Sequence, residues 1–286
     1  MKYADYIKQI EIDSLWGGRK HILWTLDPHV NILSGINGVG KSTILNRIFQ
    51  SICTKGDLKN HLLKGVHITA EPEDATHIRF DLIRSLDSPM LEFKGEHGEL
   101  RDYIQTQGLQ LTPHLTTASS MLDVQLYRLQ RKYLDYQVNI GNRIIQVLQS
   151  GAPDAAEQAQ KISEPKKKFQ DIMDDLFTYT GKKIIRTENE IRFSQIGETL
   201  VPYQLSSGEK QILAILLTVL VEDNKNYVLF MDEPEVSLHV DWQKRLIDLI
   251  LELNPNVQII LTTHSPAVIM NGWVDHVTEV SEITDK

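Results

Sequence analysis

Ser34-Gly35-Ile36-Asn37-Gly38-Val39-Gly40-Lys41-Ser42-Thr43 is the stretch that decides how this chain is read. Residues 35–42 fit G-x-x-x-x-G-K-[ST], a pattern that carries meaning only between a strand and a helix. Both flanks are present. His29 to Leu33 reads as a short apolar strand, and helical spacing follows the motif through about Ser51. Glycine admits φ > 0, so successive backbone N–H groups can turn toward a phosphate. The helix that follows adds its positive N-terminal end. In this pattern Asn37, Gly38, Val39, Gly40 and Thr43 cradle the phosphates, Lys41 reaches the β and γ phosphates, and the Ser42 hydroxyl binds Mg²⁺. The bland alternative is a glycine-rich turn with a chance Lys-Ser, and the downstream residues count against it.

Downstream, Tyr227-Val228-Leu229-Phe230-Met231-Asp232-Glu233 is an apolar strand ending in two acids. Alone it is a strand meeting a solvent loop. In a parallel sheet, ligands sit at the carboxyl ends of the strands. Asp232 would then face the Mg²⁺ held by Ser42, and Glu233 would stand at the γ-phosphate as the base for an attacking water. Leu205-Ser206-Ser207-Gly208-Glu209-Lys210-Gln211 opens a helix, with Ser206 and Ser207 as caps and Glu209 in the first turn. A helix start of this kind also forms an anion site. His264 follows the strand Gln258 to Leu261, within Thr262-Thr263-His264-Ser265-Pro266. A lone histidine is more often structural, but here it can donate to the γ-phosphate or to the water.

Composition sets the frame. The chain has 286 residues, 41% hydrophobic and 24% charged, as in an ordinary globular protein. The single cysteine, Cys53, excludes an internal disulfide and a zinc site built on a Cys pair. The N-terminus is polar and reads as no signal peptide. The longest apolar run, Ile212 to Val221, is far short of the about 20 residues that span a bilayer. A cytoplasmic protein is expected. The net charge of −8 gives no support to broad nucleic-acid binding, which needs a basic face.

Around the motifs, Ile7 to Ile12 alternates as a strand, Trp16 to Lys20 reads as a turn, and His21 to Leu26 as the returning strand. His77 to Arg84 and Met90 to Phe93 read as further strands. From about Ser119 to Thr180 the period becomes helical. Leu122, Leu126, Leu129, Tyr133, Tyr136, Ile140 and Ile144 form one seam, Ser150 to Pro153 breaks it, and a second helix follows, interrupted by Pro165. Lys166-Lys167-Lys168 reads as a solvated face. Lys183 to Arg186 and Glu190 to Phe193 read as a hairpin, Ser207 to Glu222 and Asp241 to Leu253 as helices, and Val257 to Leu261 as a buried strand. The expected organisation is a core in two parts, 1–118 and 181–286, with a helical hairpin inserted at 119–180.

Taken in order, the phosphate loop, the Leu-Ser-x-Gly-Glu segment, the Asp-Glu strand and the histidine resemble the ATP-binding cassette (ABC) ATPases. Asp232-Glu233-Pro234-Glu235-Val236-Ser237-Leu238-His239 and Thr263-His264-Ser265-Pro266 are similar to the RecF, OLD and repair-ATPase side of that family. The resemblance implies an α/β P-loop fold: a mixed central sheet flanked by helices, with an antiparallel β part. It implies ATP and Mg²⁺ as cofactors and a head-to-tail homodimer or higher homo-oligomer. Ser206, Ser207 and Gly208 of one subunit would cap the γ-phosphate held by the other, and Val236 to His239 would cross the interface. The family's Mg²⁺-sensing glutamine has no clear counterpart; Gln105, Gln107 and Gln110 are candidates.

Three kinds of work fit such an ATPase. One is the ATPase subunit of a bacterial anti-phage system, acting with a separate effector nuclease or toxin, as in the similar Septu and retron proteins. The second is DNA repair, for which the insertion is short and a Cys-x-x-Cys hook is missing. The third is a transporter subunit, disfavoured because the arginine-rich continuation of the signature is absent. Only about twenty residues follow His264, without a second acidic cluster, so no intrinsic nuclease is expected.

Overall fold

A computed structural model of the chain describes residues 1–52, 56–58, 65–84 and 121–285. Cys53, the strand expected at Met90 to Phe93, and Gln105, Gln107 and Gln110 lie outside the described residues. The chain divides into two units, residues 1–85 with 218–286, and residues 86–217.

In the first unit, five parallel strands lie in the order β11 (Val277–Glu279), β3 (Val30–Ser34), β10 (Val257–Thr262), β9 (Tyr227–Asp232) and β5 (Phe80–Arg84). β9 and β10 are buried at every position, which is why both are dominated by apolar residues. A three-stranded antiparallel sheet, in the order β2 (Lys20–Thr25), β1 (Tyr6–Leu15), β4 (Val66–Glu71), supplies the second layer. Ile7, Ile10 and Ile12 of β1 and Trp24 of β2 are buried in one core with Ile44, Leu45 and Ile48 of α1 (Lys41–Ile52) and Val228 and Phe230 of β9. The two sheets are also joined by a polar contact. Gln258 of β10 is fully buried, and its amide accepts from Ile7 N–H at 2.8 Å and donates to the carbonyls of Ile7 and Asp27, each at 2.8 Å. Each amide atom is satisfied, as a buried polar side chain requires.

β4 and β11 are not expected from the sequence. In β4 only Val66 and Ala70 are buried, so its apolar alternation is faint, and pairing with β1 makes it a strand. β11 has three residues, and its partner β3 defines it.

In the second unit, α2 (Met121–Gln149) packs against α3 (Ala155–Leu176). Most of the seam read from the sequence is used: Leu122, Leu126, Leu129, Tyr133, Tyr136 and Ile140 are buried, and Ile144 is half-buried. Two expectations change. Pro165 lies inside α3 and does not interrupt it. A proline in a helix interior typically costs ~3 kcal/mol, and burial of Phe169, Ile172, Met173 and Leu176 along the same helix offsets it. Lys166 is not a freely solvated group. Its ammonium donates to Gln137 Oε1 at 2.6 Å, and burial pushes its pKa down. The hairpin expected at Lys183 to Phe193 is present as the antiparallel pair β6 (Lys183–Ile184) and β7 (Phe193–Gln195), and β8 (Glu198–Leu200) extends it to a three-stranded sheet. β7 turns into β8 through Ile196 and Gly197, both at positive φ. Ile at such a position is uncommon and gives no turn signal in the sequence.

No helix among the described residues is long and apolar enough to cross a membrane.

Candidate functional site

The loop between β3 and α1 follows from its glycines. Gly35, Gly38 and Gly40 have φ of 150°, 81° and 106°. Asn37 and Gly38 are exposed at its tip, Thr43 is exposed on the first helical turn, and Val39 N–H donates to Ile36 O at 3.3 Å. The Lys41 side chain is only 4% exposed; its ammonium donates to Gly35 O at 2.9 Å and Ile36 O at 3.4 Å. The lysine therefore lies along the inner face of the loop.

β9 and β10 bring the acids and the histidine to the same end of the sheet. Asp232 Oδ1 accepts from Ser42 Oγ at 2.9 Å and from Thr262 Oγ1 at 2.6 Å. Glu233 has φ 46°, in the left-handed region, and its N–H donates to Thr262 O at 3.0 Å. This backbone kink turns its carboxylate out of the strand register. Its Oε1 stands 4.0 Å from Lys41 Nζ and 3.4 Å from His264 Nδ1. His264 is half exposed, so one face of this cluster is open to a ligand.

One neighbour escaped the sequence reading. Trp16, in the turn between β1 and β2, lies against the phosphate loop: a Cβ added to Gly40 would stand 2.1 Å from Trp16 Cζ2. Gly40 is thus needed twice, for its positive φ and for its missing side chain. The indole remains 40% exposed. An aromatic at a turn tip, where a polar residue is usual, was the available signal.

Ser206, Ser207, Gly208 and Glu209 lie in the second unit, at the start of α4 (Ser207–Val221). Ser206 and Glu209 form a capping box. Glu209 N–H donates to Ser206 Oγ at 3.4 Å, and Ser206 N–H donates to Glu209 Oε2 at 2.9 Å. Glu209 is 2% exposed and also accepts from Lys182 Nζ at 2.9 Å and Thr180 Oγ1 at 3.2 Å. Burial pushes its carboxyl up, but the Lys182 and Ser206 hydrogen bonds outweigh burial and hold it below the usual range. Ser206 and Ser207 themselves are exposed. So Glu209 is the buried anchor, and the serines are the free surface of this turn.

The chain is similar to several known proteins. The family described as "AAA domain, putative AbiEii toxin, Type IV TA system" matches residues 142–271. Septu protein PtuA of Bacillus thuringiensis is 25% identical over 94% of this chain and 74% of its own length. The Retron Ec83 probable ATPase of Escherichia coli is 32% identical, over 32% of this chain. The chain spans only 19% of that retron protein's length. In fold, the chain resembles an SMC head solved with the C-winged helix domain of ScpA, with a TM-score of 0.51, 16% identity, and coverage of 93% and 91% of the two chains. The chain is thus similar to ATPases of anti-phage defence systems, and its fold is that of an SMC head.

The site has the donor set that Mg²⁺ takes. Ser42 and Asp232 offer two hard oxygens 2.9 Å apart, and Mg²⁺ usually draws its remaining ligands from phosphate oxygens and water. No group of three or more His, Cys, Asp or Glu able to hold a metal by itself occurs among the described residues.

Proposed function

We propose that this chain binds ATP with Mg²⁺ at the phosphate loop and hydrolyses it, and that two copies assemble head to tail around two nucleotides. One arrangement carries the reading: Lys41, Ser42, Asp232, Glu233 and His264 converge at the carboxyl ends of the adjacent parallel strands β3, β10 and β9. The phosphate-loop N–H groups hold the β and γ phosphates. Lys41 exchanges the carbonyls of Gly35 and Ile36 for phosphate oxygens. Ser42 and Asp232 hold the metal, which when bound neutralises charge on the β and γ phosphates. Glu233 takes a proton from the attacking water, whose oxygen bonds the γ-phosphorus as the bridging oxygen leaves with ADP. His264 donates to the γ-phosphate. The open face of Trp16 stacks on the nucleobase.

In this reading the exposed Ser206 and Ser207, with Gly208, cap the γ-phosphate held by the other copy, and Glu209 keeps their turn rigid. The helical insertion, residues 119–180, serves further assembly. Leu134, Val138, Gly141, Ile145 and Leu148 recur at steps of four and three on α2, off the seam buried against α3. Val138, Ile145 and Leu148 are 61%, 53% and 54% exposed. Such spacing suits a partner helix. The stripe is complementary to itself. Laid antiparallel with Gly141 opposite Gly141, Leu134 meets Leu148, and Val138 and Ile145 fall within one residue of each other. The occupant is therefore a second copy of α2, and Gly141, with open space at its Cβ position, permits close approach.

The ATPase works in the cytoplasm with a separate effector, a nuclease or toxin. Similarity to Septu protein PtuA along most of the chain supports this. The deciding experiment is ATP turnover by the purified chain, alone and with the products of neighbouring genes. Turnover that disappears in Lys41→Ala supports the reading; neither binding nor turnover in any combination overturns it.

A further inference from the structure

Glu235 is an acid that the reaction above does not use. It lies two residues beyond Glu233 and is only 5% exposed. Its Oε1 gathers the turn that presents His264. The Thr263 hydroxyl donates to it in a short hydrogen bond, and the His264 backbone N–H donates to it at 3.4 Å. The His264 ring Nδ1 stands 3.9 Å from the same oxygen and 3.4 Å from Glu233 Oε1. Oε2 is buried with no hydrogen-bond partner among the described residues.

The same turn is braced from the other side. Thr263 Oγ1 accepts from Ser265 N–H at 2.9 Å. Ser265 Oγ donates to Gln243 Oε1 at 2.7 Å, and Gln243 Nε2 donates to Leu238 O at 2.9 Å and Glu235 O at 3.4 Å. Glu235, Thr263, Ser265 and Gln243 thus close a ring of hydrogen bonds. That ring ties the segment Glu235 to Leu238 to His264. Keeping a carboxyl out of water is costly unless hydrogen bonds compensate it, and here those hydrogen bonds run to the Thr263-His264 turn. Burial pushes this carboxyl above its usual range despite the Thr263 and His264 hydrogen bonds.

We infer that Glu235 is a positioning residue that holds the Thr263-His264 turn, so that the His264 ring faces Glu233, and that links this orientation to the segment Val236 to His239. The inference rests on the proposed function, in which that segment meets the second copy. Seating of the second copy is then transmitted to the γ-phosphate through Glu235 and Thr263.

The test compares the wild type with Glu235→Gln, Glu235→Ala, His264→Ala and the double variant Glu235→Ala with His264→Ala. It measures kcat, ATP affinity, melting temperature and the His264 ring resonances. Glutamine keeps the Oε1 acceptor and puts its NH₂ where Oε2 finds no donor, so Glu235→Gln should stay within about threefold of wild-type kcat. Glu235→Ala should lower kcat by about tenfold or more at unchanged ATP affinity, and should have no further effect in the His264→Ala background. The His264 ring resonances should shift or broaden in Glu235→Ala. An equal loss of kcat in both backgrounds, an unchanged His264 resonance, or a Gln variant as impaired as Ala overturns the inference. If Glu235→Ala does not fold, Thr263→Val removes the same contact from the opposite side and takes its place. A wild-type chain that hydrolyses no ATP would overturn the proposed function alone, because the His264 resonances report the turn without turnover.

Discussion

Ser42 Oγ donates to Asp232 Oδ1 at 2.9 Å, joining residues 190 positions apart. Thr262 Oγ1 donates to the same oxygen at 2.6 Å. Asp232 is therefore fixed by two hydroxyls. In the proposed reading a metal would only replace a hydrogen bond, not order a side chain. Ser42→Ala should raise the Mg²⁺ concentration needed for half-maximal turnover, and Lys41→Ala should abolish turnover at every Mg²⁺ concentration. A Mg²⁺ titration of ATPase rate checks both.

Glu233→Gln should retain ATP binding and lose about 10²–10⁴ in turnover rate, the usual contribution of a positioned general base. Because ATP then stays bound, the head-to-tail dimer should accumulate. Light scattering with Mg²⁺-ATP reads the mass, and a persistent monomer counts against the sandwich.

Trp16→Ala should weaken ATP binding while leaving the phosphate loop intact. Stacking on an aromatic face is worth about 1–3 kcal/mol, which is roughly 5- to 150-fold in affinity. Trp16→Phe should recover part of it. Gly40→Ala should be worse than either, since its Cβ meets the indole and its φ of 106° suits glycine alone. Equilibrium titration with a fluorescent ATP analogue separates the three.

The pKa of Glu209 is lowered in the fold, so its stabilising contribution is full above the unfolded carboxylate value of about 4.3 and is lost as pH falls through the lower folded value. Glu209→Gln should therefore melt earlier than wild type at neutral pH, and the gap should close in that acid range. Glu209→Ala should cost roughly 3–5 kcal/mol, because it leaves Lys182, only 12% exposed, without its partner. Thermal melts at several pH values measure this.

Val138→Glu with Ile145→Glu on α2 should lower the order of assembly without touching ATP turnover per chain. Placing charges opposite each other across an antiparallel helix pair costs more than burying the stripe gains. Sedimentation at matched concentration decides it, and an unchanged mass distribution removes the α2 face from the assembly.

Residues adjacent in the chain explain what could be read without coordinates. The phosphate loop between β3 and α1, the buried runs of β9 and β10, and the seam from Leu122 to Ile140 each declare themselves within about a dozen residues, because backbone conformation and burial period are local. The weak elements do not. β8 is mostly exposed, and only register with β7 makes it a strand. Pro165 reads as a break because the sequence cannot weigh a lost helical hydrogen bond against a buried face.

The amino-acid order by itself determined the class of chemistry: a glycine loop with Lys41 and Ser42, an apolar strand ending in Asp232 and Glu233, and a capped helix at Ser206. Tertiary structure alone decided which groups meet. It laid Trp16 on Gly40, gave Asp232 a second donor in Thr262, and buried Glu235 beneath Thr263 and His264. No local pattern carries those contacts, because each depends on how separate strands and turns pack, and packing sums many weak contacts between residues far apart in the chain.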